Sequence, residues 1–198
     1  MRTSLPQVFL MRHGETLWSL SGQHSGRADI ALTENGMSEA KQLAKQVGRI
    51  SFQHILVSPL RRAKETCLAA GMWEKAVLEP DLMEWDNGEF EGKTSIEIER
   101  SHPGWNLFRD GCPGGESPGE ISDRADRLKS KLEKLQGNIA IFTHGHFGRV
   151  LGARWIGLSV EFAERLLLDT ASLSILGYQH DDATQQVISL WNSRPGDR

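Results

Sequence analysis

Three short apolar runs in this 198-residue chain each break off into residues able to do chemistry, and that repetition limits what the chain can fold into. Val8-Phe9-Leu10 leads into Met11-Arg12-His13-Gly14-Glu15-Thr16, and His54-Ile55-Leu56-Val57 ends at Ser58-Pro59, just ahead of Arg61 and Arg62. Ile139-Ala140-Ile141-Phe142 delivers Thr143-His144-Gly145-His146. Runs this short, bounded by turn residues, read as strands buried on both faces. Each is followed by a helical pattern, and βα units in succession predict a parallel sheet. Open sheets of that kind bind ligands outside the carboxyl ends of their strands, where all three runs place their polar residues.

Between these landmarks, the Ser- and Gly-rich stretch Leu17 to Ile30 lacks periodicity and is expected to be a loop. Thr33 reads as the N-cap of a helix carrying Met37, Ala40, Leu43, Ala44 and Val47. Pro59 suits the first turn of a helix from Leu60 to about Ala70. Val77 and Leu78 can form a short strand, Asp81 to Gly92 is expected to be irregular, and Thr94 or Ser95 can cap a short helix through Arg100. The eight Gly and Pro residues between His102 and Gly119 predict a long functional loop or lid, ordered by Trp105, Leu107 and Phe108. Ile121, Ala125, Leu128, Leu132 and Leu135 trace one face of a long helix closed by Gly137. A helix from about Phe147 to Ile156 and a short segment near Glu161 to Leu166 come next. Ser172 to Leu176 and Val187 to Trp191, joined through Gln179-His180-Asp181-Asp182, suggest a terminal hairpin and a mixed sheet.

The length and the 38% hydrophobic content fit one ordinary domain, 1–198, with a lid-like excursion at about 81–119. A formal charge of −3 and a pI near 6.2 give no basic face for nucleic acid or an anionic membrane. No apolar run approaches the ~20 residues of a membrane span, and Met1-Arg2-Thr3-Ser4-Leu5-Pro6 lacks the apolar core of a signal peptide, so a cytoplasmic protein is expected. Cys67 and Cys112 stand alone, which argues against a disulfide and against a cysteine-based zinc site. Cys67 reads as a small hydrophobe on a helix.

Arg12-His13, Ser58 with Arg61 and Arg62, and His144 together make a site for a dianionic phosphate, because guanidinium forks bind phosphate oxygens through paired, charge-assisted hydrogen bonds. With no cysteine motif, Gly-rich phosphate loop or Asp-rich metal cage, the natural nucleophile is a neutral histidine nitrogen. Expelling an alkoxide needs a proton donor, and Glu84, Asp86, Glu89 and Glu91 are all candidates. Bulky neighbours such as Leu82 and Trp85 are expected to raise a carboxyl pKa there. A metal held by His13, His144 and His146 is disfavoured by the adjacent Arg12 and Arg62.

Arg12-His13-Gly14-Glu15-Thr16, the run Ser58 to Thr66, the segment Leu82 to Gly92 and Thr143-His144-Gly145 resemble the motifs of the histidine phosphatase superfamily, in that family's order and over most of the chain. The resemblance implies a three-layer α/β/α sandwich of the phosphoglycerate-mutase-like type, with a mostly parallel central sheet and one antiparallel edge strand. It implies a phosphohistidine mechanism with no metal and no cofactor: His13 as nucleophile, Arg12, Arg62 and His144 holding the phosphoryl group, Glu84 as proton donor. Arg62 rather than Arg61 matches, since it directly precedes Ala63. Ser19 stands where many members carry asparagine and is expected to contact phosphate with less reach.

Only a short stretch separates Gly92 from Gly115-Glu116-Ser117, where the family's mutases carry a longer insertion, so hydrolysis is expected over phosphoryl transfer; mutase activity and a non-catalytic binding module are the alternatives. The segments Trp18 to Gly26 and Trp105 to Cys112, with Glu84-Trp85 and His144-Gly145-His146, look similar to the sedoheptulose-1,7-bisphosphatase branch. That implies a sugar phosphate or bisphosphate met by Gln23, His24, Ser25, Gly26, Arg109 and His146. Arg109 can instead pair with Asp110 or Glu116, and His146 can line the pocket or cap the helix beginning at Phe147. His54, His102 and His180 read as surface histidines, and exposed Trp residues near the C-terminus would support a homodimer.

Overall fold

The computed structural model describes residues 5–180 and 182–194; Met1 to Ser4 of the signal-peptide reading and Asp181 of the hairpin turn lie outside them. In chain order the elements are β1 (Gln7–Arg12), α1 (Leu17–Ser21), α2 (Glu34–Val47), β2 (His54–Val57), α3 (Arg61–Ala69), β3 (Ala76–Leu78), α4 (Ser95–Ser101), α5 (Leu107–Asp110), α6 (Pro118–Leu132), β4 (Asn138–Thr143), α7 (Gly145–Trp155), β5 (Leu173–Tyr178) and β6 (Gln186–Ser193). Short 3-10 turns lie at Trp73–Lys75, Pro80–Leu82, Gly88–Phe90 and Val160–Arg165.

The strands form one sheet in the order β3-β2-β4-β1-β5-β6. β3, β2, β4 and β1 are parallel, β5 runs against β1, and β6 completes the terminal hairpin at the edge. The strands alternate strictly between two apolar layers. Val8, Leu10, Leu56, Ile139 and Ile141 pack on the buried faces of α6 and α7, while Phe9, Met11, Ile55, Val57, Ala140 and Phe142 pack on α2 and α3. This is a three-layer α/β/α fold, and burial on both faces explains why the strands read as continuous apolar runs. Cys67 and Cys112 are free and buried, one in each layer.

Register brings the chemistry to one edge. Arg12 lies opposite Thr143 and Val57 opposite Phe142. The ladder then runs one residue further, with His13 N–H donating to Thr143 O at 3.0 Å and Ser58 N–H to Phe142 O at 3.0 Å. His13, Ser58 and His144 therefore leave three adjacent strands side by side.

Helix boundaries depart from expectation where caps override composition. The Leu17 to Ile30 stretch holds α1, nucleated by a reciprocal capping box between Thr16 and Ser19; with no buried residue on it, there was no apolar period to read. Pro59 precedes the N-cap Leu60 instead of sitting in the first turn of α3. The irregular stretch His102 to Gly119 contains α5 and the start of α6. Ser117 and Glu120 form a capping box with Pro118 at the first helical position, where its missing N–H costs nothing. α6 ends at Leu132, so Leu135 packs from the turn beyond it. α7 starts at Gly145, and its cap comes from elsewhere in the chain. Trp155 is buried, and Trp191 is half-buried against Gly152 with its indole N–H on Leu167 O, so neither supplies the exposed aromatic surface expected for a dimer.

The loop after β1 is held by backbone packed on backbone. A Cβ on Gly36 would sit 2.2 Å from Glu15 O, and one on Gly14 would sit 2.4 Å from Gly36 O. Gly36→Ala must therefore push the His13-Gly14-Glu15 turn off the start of α2. It should cost about 1–3 kcal/mol, seen as a lower urea midpoint, and reduce activity as well; an unchanged midpoint would show that the turn yields freely.

Candidate active site

His13, at the end of β1, is buried, and its Nδ1 lies 2.8 Å from Gly14 O. A carbonyl only accepts, so Nδ1 carries the proton and Nε2 keeps its lone pair. Burial, reinforced by Arg62 and Arg12, holds the ring well below the ordinary histidine range. The result is a neutral imidazole of fixed tautomer, ready as a nucleophile.

Arg12 Nη1 donates to Leu168 O, and its guanidinium packs so closely on the Gly145 backbone that a Cβ there would meet it at 3.3 Å. Arg62, on α3, is fully buried, with Nη1 on Ala28 O at 2.8 Å and Nη2 on Gly26 O at 2.9 Å. Burial, opposed by Glu84, brings it down to about 10, still a cation at neutral pH. The Nε of each arginine has no hydrogen-bond partner among the described residues, although both are buried. Arg61 instead faces outward and pairs with Glu65 at 2.6 Å.

His144 occupies the N-cap position of α7, its ring centroid 5.3 Å from that of His13. Its Nε2 meets Ser58 Oγ at 2.7 Å, and its Nδ1 is buried without a partner among the described residues. Burial, then Arg62, His13 and Arg12, keep it neutral, far below the usual histidine value.

Glu84 supplies the missing cap of α7. Its Oε1 accepts the N–H groups of Phe147 at 2.8 Å and Trp85 at 2.9 Å, and Oε2 accepts that of His146 at 3.1 Å. Burial pushes its pKa up as expected from Leu82 and Trp85, but His146, Arg62 and these N–H groups outweigh burial and leave it below the ordinary value. The expected upward shift is thus corrected: helix-end donors favour the carboxylate.

Arg124, on α6, clamps this segment. It forms a two-pronged pair with Glu116 at 2.7 Å on each arm and donates to the carbonyls of Asp81, Met83 and Glu84 while lying over the Phe147 ring. Glu116 also accepts the N–H of Asp86 at 3.0 Å.

These residues surround a cavity of ≈ 220 Å³ lined by Arg12, His13, Ser19, His24, Glu84 and His146 among others; Arg62 and His144 are fully buried beside it. Of the four candidate carboxylates only Glu84 lines it: Asp86 caps Gly88 N–H, Glu91 takes the Arg27 N–H, and Glu89 is exposed. A second cavity of ≈ 530 Å³ adjoins the first, sharing His24, Ser95, His146 and Arg149 and adding Trp105, Leu107 and Phe108.

The outer residues divide. Gln23 and Ser25 line the inner cavity, although the Gln23 amide is bonded to Gly92 O and Ser21. The Ser19 hydroxyl donates to Thr16 O at 2.9 Å within its capping box. Gly26 contributes through its carbonyl on Arg62. His146 lines the pocket and stacks on His24 at 5.5 Å, 15° from parallel, instead of capping α7. Arg109 lines neither cavity; it is held by Asp110 at 2.7 Å and by Gly104 O. Sequence reasoning missed Ser95 and Arg149. Arg149 lies three residues beyond His146, one helical turn on, and that spacing was the available signal.

Among the described residues no group of three or more His, Cys, Asp or Glu side chains is arranged to hold a metal ion, and no helix is long and apolar enough to cross a membrane. Residues 8–193 match the family model of the histidine phosphatase superfamily (branch 1). The chain is similar to an acid phosphatase of Mycobacterium tuberculosis, 35% identical over 93% of this chain and 92% of that protein. It is also similar to sedoheptulose 1,7-bisphosphatase of Saccharomyces cerevisiae, 31% identical over 81% and 71%. A third relative, named probable phosphoglycerate mutase GpmB, from Salmonella choleraesuis, is 33% identical over 93% and 89%. Identities this even favour no one branch.

Arg124→Leu leaves the half-buried Glu116 only its longer contact to Arg27 at 3.4 Å and three carbonyls undonated, and should cost about 3 kcal/mol of stability, read from chemical denaturation. A second expectation concerns pH. His13, His24, His144 and His146, the last brought down by burial to about 3, resist protonation in the folded state. The unfolded chain takes up protons first as pH falls below about 6.5, so the ligand-free protein should lose stability steadily between about pH 7 and pH 5. His146→Asn should flatten that slope, and an equally steep curve would refute the assignment.

Proposed function

The chain belongs to the histidine phosphatase superfamily (branch 1), and on that premise we propose that it hydrolyses small organic phosphate monoesters, sugar phosphates or bisphosphates among them, through a phosphohistidine on His13 and without a metal. The observation that carries this reading is a neutral His13, its lone pair fixed on Nε2, set beside the half-buried Arg12 and the buried Arg62 and on the same cavity as Glu84.

In the first step the Nε2 lone pair attacks phosphorus, the P–O ester bond breaks, and Glu84 gives its proton to the departing oxygen. Arg12 and Arg62 balance the charge on the phosphoryl oxygens, and His144, neutral, holds one of them by a hydrogen bond. Glu84 prefers to be ionised in the empty site, so it must gain its proton as substrate binds. A phosphate dianion favours this by cancelling the field of Arg62, which acts with His146 and the backbone N–H groups to hold the pKa down. In the second step water attacks phosphorus, the N–P bond breaks, Glu84 takes the water proton, and inorganic phosphate leaves.

Residues 81–119 supply Glu84 to the inner cavity and Ser95, Trp105, Leu107 and Phe108 to the outer one, which supports their role as a lid over the leaving group. The relative named sedoheptulose 1,7-bisphosphatase supports a sugar leaving group. The relative named phosphoglycerate mutase supports a second reading, transfer of the phosphoryl group back to a substrate hydroxyl.

Phosphate release from sugar phosphates in the presence of EDTA should be rapid in the wild-type protein and lost in His13→Ala with the fold intact. A mutase would instead need a bisphosphate primer and return isomerised product. Glu84→Gln should slow alkyl phosphates by about 10²–10⁴-fold and p-nitrophenyl phosphate far less, because nitrophenolate leaves without a proton; equal losses on both would remove Glu84 as the acid.

A further inference from the structure

Arg149 stands out among the residues the reaction leaves unused. It lies one turn into α7 and lines both cavities. Its Nε donates to Ala163 O at 2.9 Å and Nη2 to Glu164 O at 2.7 Å, and its guanidinium lies over the Phe108 ring at 4.5 Å. No carboxylate pairs with it within 4.0 Å among the described residues, unlike Arg27, Arg61, Arg109, Arg124, Arg127 and Arg154. Burial, opposed by Glu84, brings it to about 10, so it is a cation at neutral pH. It is held in place, yet its charge is unmatched.

Charge accounting shows what would match it. Arg12 and Arg62 balance a phosphate dianion, and Glu84 is neutral while it carries the proton it will donate. Arg149 is then the remaining cation on the inner cavity wall. Glu99, Arg100 and Glu164 also reach the outer cavity, but all three are exposed at its mouth, where water and salt screen them. Arg109, the cation expected to meet a distal group, is spent on Asp110.

We infer that Arg149 is the specificity-determining residue of the outer cavity and binds a second anionic group, a carboxylate or a phosphate, on the leaving group of the substrate. This rests on the phosphomonoester reading above. A planar guanidinium fixed along one edge by two carbonyls offers its remaining N–H groups in a set direction, which suits either oxyanion. The competing account makes Arg149 a strut that only ties α7 to the Val160–Arg165 turn.

The test uses matched pairs that differ in one anionic group: 3-phosphoglycerate against glycerol 3-phosphate for a carboxylate, and fructose 1,6-bisphosphate against fructose 6-phosphate for a phosphate. p-Nitrophenyl phosphate reports hydrolysis itself. The wild-type protein should favour the more anionic member of at least one pair by about 10–100-fold in kcat/KM, chiefly through KM. Arg149→Gln should erase most of that ratio and Arg149→Lys should keep part of it. The pair that discriminates names the oxyanion. A wild-type ratio near one, or a Gln variant that lowers both members equally, overturns the inference while the phosphatase reading stands. No release from any compound, p-nitrophenyl phosphate included, overturns both.

Discussion

A single carboxylate at the amino end of α7 joins the parts of the site that the sheet alone does not align. Glu84 arrives on an irregular segment beyond the edge strand β3, yet it accepts three backbone N–H groups, two of them from the first turn of the helix that follows His144. A helix end carries a partial positive charge and unsatisfied donors, so an anion there is stabilised twice over. The same bonds that cap α7 fix the carboxylate beside His13. Arg124 completes the arrangement from α6 by gripping both Glu116 and the carbonyls on either side of Leu82.

The cost of this arrangement is electrostatic. Arg12, Arg62, Arg124 and Arg149 all sit wholly or largely out of water, and each guanidinium is held by main-chain carbonyls. Carbonyl dipoles orient a cation without neutralising it, whereas a carboxylate would do both. Arg124 has its carboxylate and serves as scaffold. Burial keeps the neighbouring histidines neutral, and the net charge that Arg12 and Arg62 retain adds to it, so that an unprotonated imidazole is present at ordinary pH.

How far the chain could be read from its letters depended on whether a residue's role was set locally. The strands, their parallel order and the delivery of His13 and His144 to one edge follow from apolar runs and the polar residues that end them. Arg62 could be separated from Arg61 by its position before Ala63, and the structure buries one and exposes the other. What escaped was set at a distance. The start of α7 depends on a cap about sixty residues away in sequence. The downward shift of Glu84 comes from His146, Arg62 and the N–H groups of Phe147 and Trp85 together, so a reading of Leu82 and Trp85 as apolar neighbours alone gave the wrong sign. Of the two readings open for Arg109 the fold takes the pair with Asp110, and Arg149 carried only the faint signal of its spacing from His146, because only the folded chain shows which cation lacks a carboxylate. α1 and the first turn of α6 escape for a local reason, since their capping boxes lie in stretches whose Ser, Pro and Gly content reads as loop.

The two cysteines carry a consequence for the conditions under which such a site can work. Both are enclosed in the apolar layers, and burial pushes both thiols up to about 12. Thiolate is the form that oxidants and alkylating agents attack, and almost none of it exists at neutral pH in this fold. The nucleophile proposed above is an imidazole, which those agents do not convert to sulfenic acid or a mixed disulfide. On the proposed mechanism the cycle needs no thiolate, so a burst of peroxide that silences thiol-dependent phosphatases would leave this chemistry running.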